Sequence, residues 1–180
     1  ACTAEVVGAA NLKDAGNVLH LFARPSGYGR IALAFGEDKV YSIPCDMQTD
    51  MEYLFASLSK VARQAGTFVM CDLKRYLPLL AEIDKERCFD AVVAAYLLNP
   101  LKNDYTYEDI AREQLDVLID TNAAAPVKSC YEAYTCLKAV RSLTDRLKET
   151  DMYQLFKEIE MPLLFTLYDM EQAGIKVEAE

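Results

Sequence analysis

The chain has 180 residues, of which 52% are hydrophobic and 26% charged, enough for one sizeable core and the balance of an ordinary globular protein. Its 19 basic residues face 28 acidic ones, a formal net charge of −9, which argues against tight, autonomous binding of DNA or RNA, because that affinity comes largely from Lys and Arg displacing counterions from phosphates. No apolar run approaches the roughly 20 residues that cross a bilayer, and the opening stretch ACTAEVVGAANLKDAG has no basic segment followed by an apolar one, so a cytoplasmic protein without membrane contact is expected.

In chain order, the first third reads as β. Residues 18 to 23 and 30 to 35 are apolar segments flanking RPSGYG, whose Pro25, Gly27 and Gly29 supply turn geometry. The GEDK turn at 36 to 39 leads into VYSIP at 40 to 44, so three strands joined by short turns predict an antiparallel meander. Glu37 and Asp38 then belong to an exposed turn. A helix follows: Thr49 and Glu52 have the capping-box spacing, Met51, Leu54, Phe55, Leu58, Val61, Ala62 and Ala65 form one apolar stripe, and Gly66 stands where a stop is expected.

TFVMCD at 67 to 72 predicts a short buried strand, and LKRYLPLLAEI begins a helical stretch that Pro78 starts or breaks. RCFD at 87 to 90 predicts another short strand, with Asp90 as N-cap of the helix AVVAAYLLN. From about residue 104 helix dominates: Thr106 caps YTYEDIAREQL with Asp109 three residues on, and 127 to 149 and 151 to 173 are long and amphipathic, with Pro162 marking a kink or a helix start. Strands crowded toward the front, with helices between and after them, predict an α/β layered domain.

Chemistry-bearing residues are sparse. The six cysteines, Cys2, Cys45, Cys71, Cys88, Cys130 and Cys136, contain no C-x-x-C pair, and His20 is the single histidine, so a zinc site is not expected and the thiols read as reduced and partly buried. Lys138, Arg141, Arg146 and Lys148 alternate with Asp145 and Glu149, the pattern of a solvated helix face and not of a phosphate track. No glycine-rich phosphate cradle and no Ser-His or Cys-His relay is present.

FDAVVAAYLLNP, residues 89 to 100, resembles the segment that follows the second exonuclease motif in bacterial family-A DNA polymerases. IEMPLLFTLYDMEQAGIKV, residues 159 to 177, resembles the junction at which the proofreading domain of those enzymes hands over to the polymerase domain. Their order and separation agree with the family, the meander precedes both, and the likeness covers nearly the whole chain. It implies the 3′-5′ exonuclease domain region of a DNA polymerase I. The implied fold is ribonuclease-H-like α/β, a mixed sheet of about five strands flanked by helices, with the strand at 67 to 71 parallel to the first. Residues 1–150 would be the exonuclease-like domain and 151–180 the helical junction to, and start of, the polymerase domain.

Active members of that family hydrolyse the terminal phosphodiester with two divalent metals, about 3.5–4 Å apart, held by carboxylates. The resemblance places those acids on Asp-x-Glu of the first strand, an Asp closing an Asn-Leu-Lys-Tyr-Asp pattern, and an Asp four residues beyond a Tyr. Here Phe22 and Arg24 stand at the first pair, DLKRY puts Asp72 at the Asn and Tyr76 at the Asp, and YEAYT keeps Tyr131 but has Thr135 at the last Asp. A register shifted by one, Glu132 to Cys136, contains neither the Tyr nor the Asp.

The resemblance, with these replacements, implies no catalytic residue and no metal in the chain, Mg²⁺ being expected only in the polymerase domain. The function expected is that of a non-catalytic exonuclease-like scaffold for a polymerase domain in DNA replication and repair, not itself an enzyme, within a parent DNA polymerase. Its expected partners are the polymerase domain of the same chain and, in that context only, DNA. Two alternatives stay open: a metal-dependent 3′-5′ exonuclease with ligands relocated among Asp72, Asp90, Asp104, Glu108 and Asp109, or a module that binds another protein through its acidic surface.

Overall fold

The computed structural model describes residues 18–23, 30–34, 40–44, 51–80, 83–102 and 104–174. Five strands, β1 (Val18–Ala23), β2 (Arg30–Ala34), β3 (Val40–Pro44), β4 (Thr67–Met70) and β5 (Cys88–Asp90), lie in one sheet in the order β3-β2-β1-β4-β5. The first three form an antiparallel meander, with His20 opposite Ala34 and Ala32 opposite Ser42. β4 joins β1 in parallel, Val18 beside Thr67, and β5 joins β4 in parallel, Phe68 beside Cys88. The parallel half needs crossover connections, which α1 (Met51–Gln64) and the segment from Leu73 to Arg87 supply.

The apolar run of β4 follows from its position. Phe68, Val69 and Met70 are all buried, so successive side chains meet protein on both faces of the sheet, and polar alternation is absent. β2 shows the two layers. Ala32 and Ala34 pack against Ala133 of α4 (Ala125–Glu149), while Ile31 and Leu33 belong to the main core cluster, which also contains Leu58 and Ala62 of α1. Small side chains on one face of β2 let α4 approach the strand closely.

The helical part reads largely as its caps dictate. Asp90 caps α2 (Ala91–Leu98), accepting the backbone N–H groups of Val92 and Val93. Thr106 and Asp109 form a complete capping box at the start of α3 (Tyr107–Leu115). Arg141 and Asp145 pair across one turn of α4 at 3.9 Å, as a solvated charged face should. The predicted Thr49 cap and the turn carrying Glu37 and Asp38 lie outside the described residues.

Two segments depart from the predicted α-helix. Leu73–Leu79 is a 3₁₀ helix: Pro78 inside it has no N–H to donate four residues back, and its ring opposes an α-helical turn. The stretch predicted as one helix from 151 to 173 is instead divided into α5 (Tyr153–Leu155), a π-helical turn (Phe156–Glu160) and α6 (Met161–Ala173). Pro162 sits in the first turn of α6, where its missing N–H costs little. The wider π turn directly precedes it. This segment is anchored by Phe156, Met161, Leu164 and Phe165, all buried, with the Phe156 ring 4.7 Å from that of Phe89.

Candidate functional site

A cleft of about 310 Å³ opens where β4 ends, lined among others by Cys71, Asp72, Arg75, Tyr76, Tyr107 and Glu132. Asp72 sits at φ 58°, in the left-handed region, which Asp tolerates better than most residues. That turn is held from below by Asp90. The Asp90 carboxylate accepts the backbone N–H of Asp72 at 3.3 Å and of Leu73 at 2.7 Å, besides those it caps in α2. Burial pushes the Asp90 carboxyl up to about 6 although these N–H groups pull the other way.

Of the residues singled out in the sequence, the cleft gathers Cys71, Asp72, Tyr76, Thr106 and Glu108. Tyr76 is buried, and desolvation, then the Glu132 carboxylate, push its phenol well above the ordinary tyrosine range, so it stays protonated. From α4 the cleft takes Glu132; Tyr131 is half-buried and Thr135 is buried within the core. Phe22 lies in β1 opposite Ala32, where the backbone alone is described, and Arg24 lies outside the described residues. His20 is likewise described through its backbone, beside Val69.

Arg75, Tyr105 and Tyr107 line the cleft without having been singled out in the sequence, and Glu132 entered there only as the start of the shifted register of the third motif. Of the acids weighed as relocated ligands, Asp72 and Glu108 line the cleft, Asp104 is exposed, Asp90 is a cap, and Asp109 is held by Thr106, Lys102 and Arg112. Among the described residues no three His, Cys, Asp or Glu side chains are grouped to hold a metal ion. A hard dication asks for several oxygen ligands around one point, so the described donors do not fit one.

A second feature lies on the C-terminal segment. While Phe156, Met161, Leu164 and Phe165 face the core, Ile159, Leu163, Leu167 and Met170 recur at helical spacing on the outer side and are exposed, Ile159 at 55% and Met170 at 64%. Lys74 of the 3₁₀ helix pairs with Glu171 at 2.7 Å and fixes the far end of α6 to the domain. Leu163 and Leu167 also border a small cavity of about 190 Å³ shared with Asp72 and Val93. A further recess, of about 590 Å³, lies away from the motif positions, between Lys85, Lys157 and Phe165. Its lysines are engaged: Lys157 donates to the Glu86 carbonyl at 2.7 Å, and Lys85 lies over the Phe165 ring at 5.0 Å.

No family model matches the chain. A stretch of 107 residues is 27% identical to DNA polymerase I of Bacillus subtilis (strain 168), covering 51% of this chain and 12% of that protein. Among solved structures, the POL domain of Pol1 from M. smegmatis, in complex with DNA primer-template and dNTP, is similar over 88% of this chain and 28% of that one, with a TM-score of 0.69 and 19% identity. The apo form of a nuclease has a TM-score of 0.74 at 12% identity, over 93% of this chain and 90% of its own. Brucella melitensis NrnC bound to pGG has a TM-score of 0.68 at 16% identity, over 91% and 89%.

The fold is thus α/β, shared with the nuclease, NrnC and the polymerase-bearing chain. The expectation that the chain is not an enzyme requires correction, because the structures sharing its fold include a nuclease and a polymerase-bearing chain. That expectation rested on four motif positions, of which Arg24 lies outside the described residues and Thr135 away from the cleft. Missing acids there do not decide what a cleft lined by Asp72, Glu108 and Glu132 does. Among the described residues no helix is long and apolar enough to cross a membrane.

Proposed function

We propose that this chain is the exonuclease-fold domain of a DNA polymerase I-type enzyme, and that it serves there as the scaffold supporting a polymerase domain on DNA in replication and repair. In this reading residues 1–150 belong to the domain, and 151–180 to the junction to, and start of, the polymerase domain. The observation that carries this reading is the two-faced C-terminal segment. One face is locked into the core through Phe156, Met161, Leu164 and Phe165, and the other presents Ile159, Leu163, Leu167 and Met170 outward. A helix fixed on one side and apolar on the other is a rigid mount for a second packed body, because covering such a stripe gains about 25 cal/mol per Å² of apolar surface.

The polymerase domain is the occupant that the likenesses favour. The matched stretch of Bacillus subtilis DNA polymerase I accounts for 12% of that protein, and this fold accounts for 28% of the M. smegmatis chain, so both relatives carry much more protein beside it. The net charge of −9 gives the domain little electrostatic attraction to phosphates of its own, so DNA is met in the context of the parent chain. The test is oxidative footprinting of Met170 by mass spectrometry in the full-length product and in the 180-residue chain. Protection of Met170 in the full-length product is expected; equal oxidation in both contradicts the docking role of this face.

A further inference from the structure

Two thiols meet beneath the cleft. Cys71, immediately after β4, and Cys136, in the middle of α4, stand 65 residues apart in sequence, yet their sulfurs are 3.0 Å apart, within hydrogen-bonding distance, and both are free. They are buried at 8% and 2% exposure. Cys71 is nevertheless among the residues that line the 310 Å³ cleft. Cys88 and Cys130 are also buried thiols outside any disulfide, but neither lines this cleft.

We propose that Cys71 and Cys136 form a reversible redox site, oxidised by a hydroperoxide that enters through the cleft and joined as a disulfide that ties the end of β4 to α4. In the first step the Cys71 sulfur attacks one peroxide oxygen and the O–O bond breaks. Cys71 becomes a sulfenic acid and, for hydrogen peroxide, the other oxygen leaves as water with the thiol proton. In the second step the Cys136 sulfur attacks the Cys71 sulfur, the S–O bond breaks, and the oxygen leaves as a second water with the Cys136 proton. The two thiols lose two electrons and two protons in all, and one peroxide is reduced to two waters.

A disulfide bond is about 2.05 Å long, so the sulfurs must close by roughly 1 Å, a movement within the reach of side-chain rotation. The hydrogen bond to Cys136, then burial, hold the Cys71 thiol well above its ordinary range, and Glu132 and Asp90 add to the effect. Little thiolate is then present near neutral pH, so the pair responds slowly to peroxide. Once formed, the bridge closes a long loop and restrains Asp72, Tyr76 and Glu132 at the cleft between its two anchor points.

The experiment is peroxide treatment of the purified protein in its native length, blocking of remaining thiols with N-ethylmaleimide, and digestion without reductant for mass spectrometry. The expected product is one cross-linked pair of peptides joining Cys71 and Cys136, lighter by two hydrogens than the free pair and lost with dithiothreitol. Cys88 and Cys130 are expected to be alkylated. The oxidised protein is expected to melt higher by about 5 °C, and Cys136→Ser is expected to abolish both the cross-link and the shift. If that variant does not fold, the cross-link map of the unmodified protein decides alone. Recovery of both cysteines as maleimide adducts, or cross-linking of Cys71 to Cys88 or Cys130, would overturn the proposal.

Discussion

The Asp90 carboxylate accepts the backbone N–H of Leu73 at 2.7 Å, so one buried acid joins the end of β5, the start of α2 and the turn that carries Asp72 into the cleft. Its replacement by Ala leaves the N–H groups of Asp72, Leu73, Val92 and Val93 without this acceptor. The loss of a cap and of buried hydrogen bonds predicts a destabilisation of about 2–4 kcal/mol. Urea unfolding of the variant at neutral pH measures it; a change below about 0.5 kcal/mol would place Asp90 outside the framework of the fold.

Asp90 also predicts a pH dependence. Its folded-state pKa of about 6 lies above the ordinary aspartate value of about 3.9, so the native state holds a proton that the unfolded chain releases. The contribution of this group is present in full below about pH 4 and is lost as pH rises through about 6. In Asp90→Asn that pH-dependent part disappears, so the stability difference between the two proteins is expected to change between pH 4 and pH 6.5 and to be flat above. A constant difference across that window would show that the carboxyl titrates normally.

Asp109 works in the opposite direction. Burial alone would raise its pKa, but the Lys102 ammonium and the donors of Thr106 outweigh it and hold the carboxyl at about 2. A depressed folded pKa gives stability that is present above the unfolded value and lost as pH falls from about 4 through about 2. Thr106→Ala removes the cap and is expected to cost about 1 kcal/mol at pH 7, with less effect near pH 2. Chemical denaturation of both proteins at the two pH values tests this.

These elements differ in how far the sequence foretold them. The caps at Asp90 and Thr106 were legible, because a cap is a local arrangement of two or three neighbours. So was the meander, whose apolar segments are separated in the sequence by the short stretches RPSGYG and GEDK. The 3₁₀ helix around Pro78 and the π turn before Pro162 were not, since both prolines announced an irregularity without fixing its form. Cys71 beside Cys136, and Glu132 facing Tyr76, depend on how α4 crosses the sheet. No local pattern encodes such a contact. Of the motif positions, Asp72 and Tyr76 line the cleft, Thr135 is buried, and Glu132, three residues before it, reaches the cleft from α4.

The anchoring of the C-terminal segment rests on Phe156, which is fully buried against Phe89. Phe156→Ala is expected to cost about 3–5 kcal/mol. Because the ring fastens the π turn, loss of anchoring should also make the peptide bonds near Tyr153 to Met161 susceptible to limited proteolysis before the sheet unfolds. Uniform resistance, with cleavage appearing only at global unfolding, would contradict the assignment of Phe156 as the anchor.

The scaffold role is tested most directly by primer extension with the full-length product, comparing the unmodified protein with the double variant Leu163→Glu, Leu167→Glu. Both side chains are 41% exposed but also border the cavity shared with Asp72 and Val93, so the thermal midpoint of the 180-residue chain carrying the same two changes is measured alongside as the control for the domain's own stability. If this face seats the polymerase domain, two buried and unpaired carboxylates there are expected to lower the rate of primer extension by about tenfold or more and to lower the thermal midpoint of the polymerase domain. Unchanged primer extension by the double variant, or a full-length product with no DNA polymerase activity, would contradict the account.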